Sequence, residues 1–170
     1  MNYKTLFLII LFVGLSVQIY GQEKFNAYVF LDVQHQDTLI ENEMESYIAR
    51  ELRSLGDITL ITNPKTDEAF TITVLMAGGS LEENKRKGSY AVSVTISKRS
   101  RCNTMYKNAD GTPLVMYYDD LKDEFIFVIS SDGLKSLGQQ IVALVDSNVF
   151  KSARKVFLVF EDYKKKSKPN

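Results

Sequence analysis

The chain has 170 residues, with 21 basic and 21 acidic side chains, a formal net charge of zero, one cysteine and one histidine. That balance provides no strongly basic face for a polyanion, so nucleic acid is not an expected partner. One cysteine excludes an internal disulfide, and one histidine excludes a metal site built on two or three imidazoles.

The amino terminus has the three-part layout of an export signal. Lys4 supplies a positive charge, Leu6 to Val17 is almost unbroken hydrocarbon, and Gln18 to Gln22 turns polar around the small Gly21. The apolar run has about a dozen residues, fewer than the ~20 that a helix needs to cross ~30 Å of hydrocarbon. Residues 1–22 are therefore expected to be a cleaved signal peptide, with no stable membrane span afterwards. The mature chain is expected in the periplasm or secreted. No cysteine lies near the cleavage point, which argues against a lipid anchor. Residues 23–163 are read as a single α/β domain, a length for which one core suffices, and residues 164–170 as a disordered basic tail.

Phe25 to Val33 (FNAYVFLDV) is rich in aromatic and branched residues on both faces and predicts a central strand. Thr38 and Glu41 have the spacing of a capping box. Ile40, Met44, Tyr47, Ile48, Leu52 and Leu55 then recur at three and four residues, so a helix follows, with Gly56 as its stop. Ile58 to Thr62 predicts a short strand ended by Asn63-Pro64. The opening is thus β-α-β.

Phe70, Ile72, Val74 and Met76 alternate with Thr71, Thr73, Leu75 and Ala77. Tyr90, Val92, Val94 and Ile96 alternate with Ala91, Ser93, Thr95 and Ser97. These are two half-buried strands, joined by Gly78 to Gly88, which reads as a long, mobile hairpin connection. From Lys98 to Glu124 the pattern weakens: Asp110-Gly111 and Pro113 mark a turn, Leu114 to Tyr118 a short edge strand, and Asp119 to Glu124 an acidic solvated loop. Phe125 to Ile129 (FIFVI) reads as a buried strand. Ser131 and Asp132 are placed to cap a second helix with the stripe Leu134, Leu137, Ile141, Leu144, Val145, locally weakened by Gly138. Periodicity does not decide whether Val156 to Phe160 is a strand or further helix.

The predicted fold is α+β, a two-layer sandwich: one mainly antiparallel sheet of 4–6 strands, two helices on one face, order β-α-β-β-β-(β)-β-α. The sheet's other face carries Thr71, Thr73, Ser93, Thr95 and Ser97, small hydroxyl groups suited to water.

Catalytic patterns fail on inspection. Neither Cys102 nor any serine sits in a recognisable nucleophile setting with His35, so Cys102 is read as structural or incidental, with intermolecular or redox use as the alternative. Asn108, Asp110 and Gly111 only superficially suggest a calcium loop, because Tyr106 and Tyr117 occupy ligand positions. Ser152 and Lys155 have S-x-x-K spacing without its companion motifs. Gly78-Gly79 with Lys85, Arg86 and Lys87 lacks the spacing of a phosphate loop. No cofactor and no metal are expected.

The segment ESYIARELRSLGDITLIT (Glu45 to Thr62), after an aromatic strand and leading into FTITVLMAG (Phe70 to Gly78), resembles small exported domains similar to the amino-terminal domain of TolB. That resemblance implies a periplasmic assembly or binding module and assigns no functional residue.

Two functions are compatible with this reading. The first is a non-catalytic envelope module that contacts a protein or cell-wall partner through Thr71, Thr73, Ser93 and Thr95, with Lys85 and Arg86 of the hairpin connection. The alternative is a small hydrolase or ligand-binding protein that gathers His35 with Asp119 to Glu124. Proton transfer needs hydrogen-bond reach or one bridging water, so that alternative requires imidazole and carboxylate within ~10 Å of each other.

Overall fold

The computed structural model describes residues 24–63, 69–82, 85–107, 111, 113–130 and 132–167. The expected signal peptide, residues 1–22, lies outside them. β1 (Ala27–Gln34), α1 (Thr38–Ser54) and β2 (Ile58–Ile61) form the expected β-α-β opening, with β1 and β2 paired in parallel. β3 (Phe70–Glu82) lies on β1's other side, also parallel. β4 (Lys85–Lys107) and β5 (Pro113–Ser130) continue the sheet by long antiparallel ladders. The strand order is β2-β1-β3-β4-β5. This is the predicted α+β sandwich, with two helices packed as one layer on one face of a single, mixed five-stranded sheet.

The helices form as the periodicity dictates, but with different caps. Asp37, not Thr38, caps α1, its Oδ1 accepting the Leu39 N–H at 2.9 Å. Glu41 still reaches back over the start of the helix, taking the backbone N–H of His35 at 3.3 Å. Gly56 ends the helix at φ +76°, a conformation that costs a Cβ-bearing residue about 1–2 kcal/mol. α2 (Leu134–Val145) starts from Gly133 without a side-chain cap. Asp132 instead accepts the Ser130 hydroxyl at 2.6 Å, and that bond holds its carboxyl below the usual range.

α2 does not end at Val145. One π-helical turn, Asp146–Phe150, carries it directly into α3 (Lys151–Ser167). Val156 to Phe160 is therefore helical, and helix continues through Lys164 to Ser167, where a disordered tail was expected. The π turn admits one extra residue and rotates the stripe, so Val149 and Phe150 follow Val145 into the core.

The core lies between the sheet and the helices α1 and α2. Val29, Ile72, Val74, Val92, Val94 and Ile96 from the strands meet Ile40, Met44, Ile48 and Leu52 from α1, and Leu134, Leu137, Ile141, Val145 and Phe150 from the second helical run. A Cβ on Gly138 would come within 3.1 Å of the Tyr47 Cβ. This glycine thus allows the close approach of α1 and α2 as well as weakening its own helix.

Two loop expectations are corrected, and the short edge strand expected at Leu114 to Tyr118 is part of a longer one. Within the Gly78 to Gly88 connection the described residues, 78–82 and 85–88, are strand: β3 and β4 pair out to Glu82 and Lys85, past a register shift between Gly78 and Ser80. Leu114 to Tyr118 is edge strand as expected, and Asp119 to Glu124 continues the same strand instead of forming an acidic loop. Both belong to β5, which pairs with β4 from Lys107–Pro113 to Ser89–Ser130. These segments form two-stranded arms at opposite ends of the sheet. β1 ends at Gln34, opposite Leu75, and β3 begins opposite Lys98. Where the strands extend past β1, side chains 97–100 and 119–124 are exposed or half-buried, so that stretch of sequence has no core-facing alternation to read.

Candidate functional site

The helices leave one face of the sheet uncovered, and the register arranges its side chains in rows about 4.8 Å apart from strand to strand. One row runs Asp32, Thr73, Thr95, Glu124 across β1, β3, β4 and β5. The next runs Gln34, Leu75, Ser93, Ile126, and a third brings Thr71 beside Phe30 and Ser97. The expected hydroxyl surface is therefore assembled: Thr71, Thr73, Ser93 and Thr95 are half-buried neighbours on one plane. Lys85 and Arg86 lie in the hairpin arm, opposite Glu82 and Leu81, and their side chains are outside the described residues.

Sequence reasoning missed the remainder of this face. Phe125, Phe127 and Ile129 point inward, while Ile126 and Val128 stand on the open side at 76 % exposure each. FIFVI is thus a half-exposed edge strand and not a buried one, because β5 has the core on only one side. Leu75 is 46 % exposed and Tyr28 47 %. The face is consequently a band of hydroxyls with a carboxylate at each end and an apolar corner at β5. Asp119, Asp120, Asp123 and Glu124 place charge along the edge strand, an arrangement that discourages pairing with a strand of another chain.

His35 has a different task. Its Nδ1 accepts the Asp37 N–H at 2.9 Å and its Nε2 lies 2.9 Å from the Gly78 carbonyl. Only the Nε2–H tautomer satisfies both, so neither ring nitrogen is left for substrate. The ring also meets Tyr90 edge-on at 5.8 Å. Glu124, the member of the acidic segment furthest along β5 towards His35, pairs with Thr95, five positions along β4 from Tyr90. That is about 17 Å of strand. The structure does not bring imidazole and carboxylates together. His35→Ala is expected to lower stability by about 1–2 kcal/mol through loss of the bond to Gly78 and exposure of its carbonyl, measured as a shift of the urea midpoint at constant slope. An unchanged midpoint would remove the structural role.

Among the described residues no three His, Cys, Asp or Glu side chains are grouped to hold a metal, and no helix is long and apolar enough to cross a membrane. Cys102 lies in β4 opposite Met116, with its side chain outside the described residues. Ser152 and Lys155 are exposed on α3.

The chain matches no family profile, and no curated protein sequence is similar to it. Several solved structures are loosely similar. PelC of Paraburkholderia phytofirmans, a dodecamer, superposes with a TM-score of 0.37 at 15 % identity, over 73 % of this chain and 86 % of its own. A minor lipoprotein of Acinetobacter baumannii gives 0.36 at 12 % identity, over 71 % and 93 %. A hypothetical protein of Chlamydia trachomatis gives 0.40 at 14 %, over 74 % and 99 %. None of these three is TolB, and the likeness is a weak one of general layout among small bacterial proteins. Similarity of this order carries no information on activity or partners.

Proposed function

We propose that this chain is an exported, non-catalytic binding module that docks a protein of the cell envelope on the open face of its sheet, beside the hairpin arm from Gly78 to Gly88. The supporting observation is Ile126 and Val128, exposed side by side on the edge strand next to the Thr73–Thr95 row. Covering a branched aliphatic side chain is worth about 1.5–3 kcal/mol, and the neighbouring hydroxyls and terminal carboxylates supply directional contacts. Export rests on the layout of residues 1–22, and the mass of the purified protein tests it: retention of those residues would remove signal cleavage.

Photo-crosslinking in the producing cells tests the surface. A crosslinking residue at Thr73 or Ser93 is expected to yield a discrete adduct with a second protein, and one at Arg50, on the solvent side of α1, none. The double substitution Ile126→Lys, Val128→Lys should lower adduct yield about tenfold or more, since each replacement places a charge in the contact, without lowering the melting temperature. Equal adducts from Thr73 and Arg50, or none from either, would overturn the reading.

A further inference from the structure

α3 leaves the body of the protein after its first turns. Arg154 anchors it, donating from Nε and Nη2 to the two carboxylate oxygens of Asp57 at 2.5 and 2.9 Å, and from Nη1 to Asp146 at 2.6 Å. These bonds hold the guanidinium pKa well above its ordinary value. Phe157 meets Phe25 edge-on at 5.8 Å. No residue of this helix is buried, although Val156, Val159, Phe160 and Tyr163 are large and apolar and 55–71 % exposed. Between α3 and the nearby ends of the strands runs a groove of about 870 Å³, within the ~300–1,000 Å³ range of clefts that take one small molecule.

The groove has two chemistries. Phe25, Phe70, Val149, Val156, Phe157 and Phe160 give it apolar walls, and Lys24, Lys98 and Lys122 line it without any aspartate or glutamate among the lining residues. The placement of Lys122 is particular. The ladder shifts register between Ile96 and Ser97, which pair with Asp123 and Leu121, so Lys122 is the extra residue of a bulge, a feature that re-aims a side chain. Lys98 stands with its Nζ 5.6 Å from the centre of the Phe70 ring. Lys122 is also bonded to Asp120, which stands opposite Lys98 in the ladder, and the lining Asn148 donates to Asp123, so three lysines meet two carboxylates around the groove and one positive charge is in excess. An apolar trough with surplus positive charge complements a molecule having an aliphatic tail and an anionic head.

We propose that this groove binds a single-chain amphiphile of the long-chain carboxylate class, its tail along Phe25, Phe157 and Phe160 and its head among the lysines. None of Thr71, Thr73, Ser93 or Thr95 lines the groove, so the proposal stands or falls separately from the docking face.

The test uses the protein as its host processes it, and a dansylated undecanoic acid as fluorescent probe. Unlabelled alkanoates below their micelle concentrations are expected to displace it, each added methylene tightening binding about fourfold until the groove is filled. Dodecanol should bind about tenfold more weakly than dodecanoate. Lys24→Gln with Lys98→Gln should abolish that difference while leaving dodecanol unchanged. Val156→Asp and Phe160→Asp, at positions too exposed to threaten folding, should weaken both ligands. Thr73→Arg should alter neither. Absence of saturable probe binding, equal affinity for dodecanol and dodecanoate, or displacement untouched by the Val156 and Phe160 variants would each overturn the proposal. So would a groove sealed by a second copy of the chain, seen as a stable dimer that excludes the probe.

Discussion

Replacing Gly78 with alanine is expected to destabilise the protein by about 3 kcal/mol. Two costs combine. Gly78 has φ +91°, where an L-residue loses about 1–2 kcal/mol. A Cβ there would also lie 2.6 Å from the backbone carbonyl oxygen of Ser89. That oxygen belongs to the paired strand and cannot swing aside as a side-chain tip does, and overpacking of this kind costs about 1–3 kcal/mol. The position carries more than the turn of one strand. It marks the register shift where the ladder passes into the hairpin arm, and its carbonyl accepts the Nε2–H of His35, tying the β1–α1 junction to β3. Gly56→Ala is the matched control. Its φ is +76° with nothing within 4 Å of a new Cβ, so only the conformational cost, about 1 kcal/mol, is expected. At ~2–4 °C per kcal/mol for a chain of this size, the melting temperature should fall about three times as far for Gly78→Ala as for Gly56→Ala. Equal effects would show that the close approach to Ser89 does not constrain the fold.

Phe150→Ala should be more damaging, by about 3–5 kcal/mol, the range for a large aromatic removed from a closed core. Phe150 is fully buried and stands edge-on to Phe70 at 5.4 Å and 87°. It reaches that place through the π turn, so its cost also tests whether the helical run is interrupted there. Phe160→Ala, ten residues on and 55 % exposed, should change stability by no more than about 0.5 kcal/mol. The urea midpoint, compared at constant slope, separates the two. A loss below about 1 kcal/mol at Phe150 would mean that this ring does not occupy the core.

Where a segment packs one face against a core, its sequence announces it. Ile40, Met44, Ile48 and Leu52 specified α1 by their spacing, and Gly56 specified its end. Phe70 to Met76 and Tyr90 to Ile96 specified two central strands, with the facing rows of threonine and serine. The arms were illegible for the same reason reversed: residues 97–100 and 119–124 have no buried side chain, so nothing there needed to alternate. Asp119 to Glu124 gave a composition suited to a loop and was used instead along the exposed edge of β5. The groove was invisible because its lysines come from residues 24, 98 and 122, brought together only by strand order and one bulged residue.

The amino-acid sequence alone determined the layers of this protein, because burial of one face imposes a period of two or 3.6 that survives in the order of the residues. It also determined that Thr73 and Thr95 turn away from that buried face. Tertiary structure decided which strand lies at the edge, and hence that Ile126 and Val128 are bare. It also decided where Lys122 points and that the last helix stands clear of the sheet. Those outcomes depend on which neighbours are missing, and a missing neighbour leaves no mark on the local pattern of a chain.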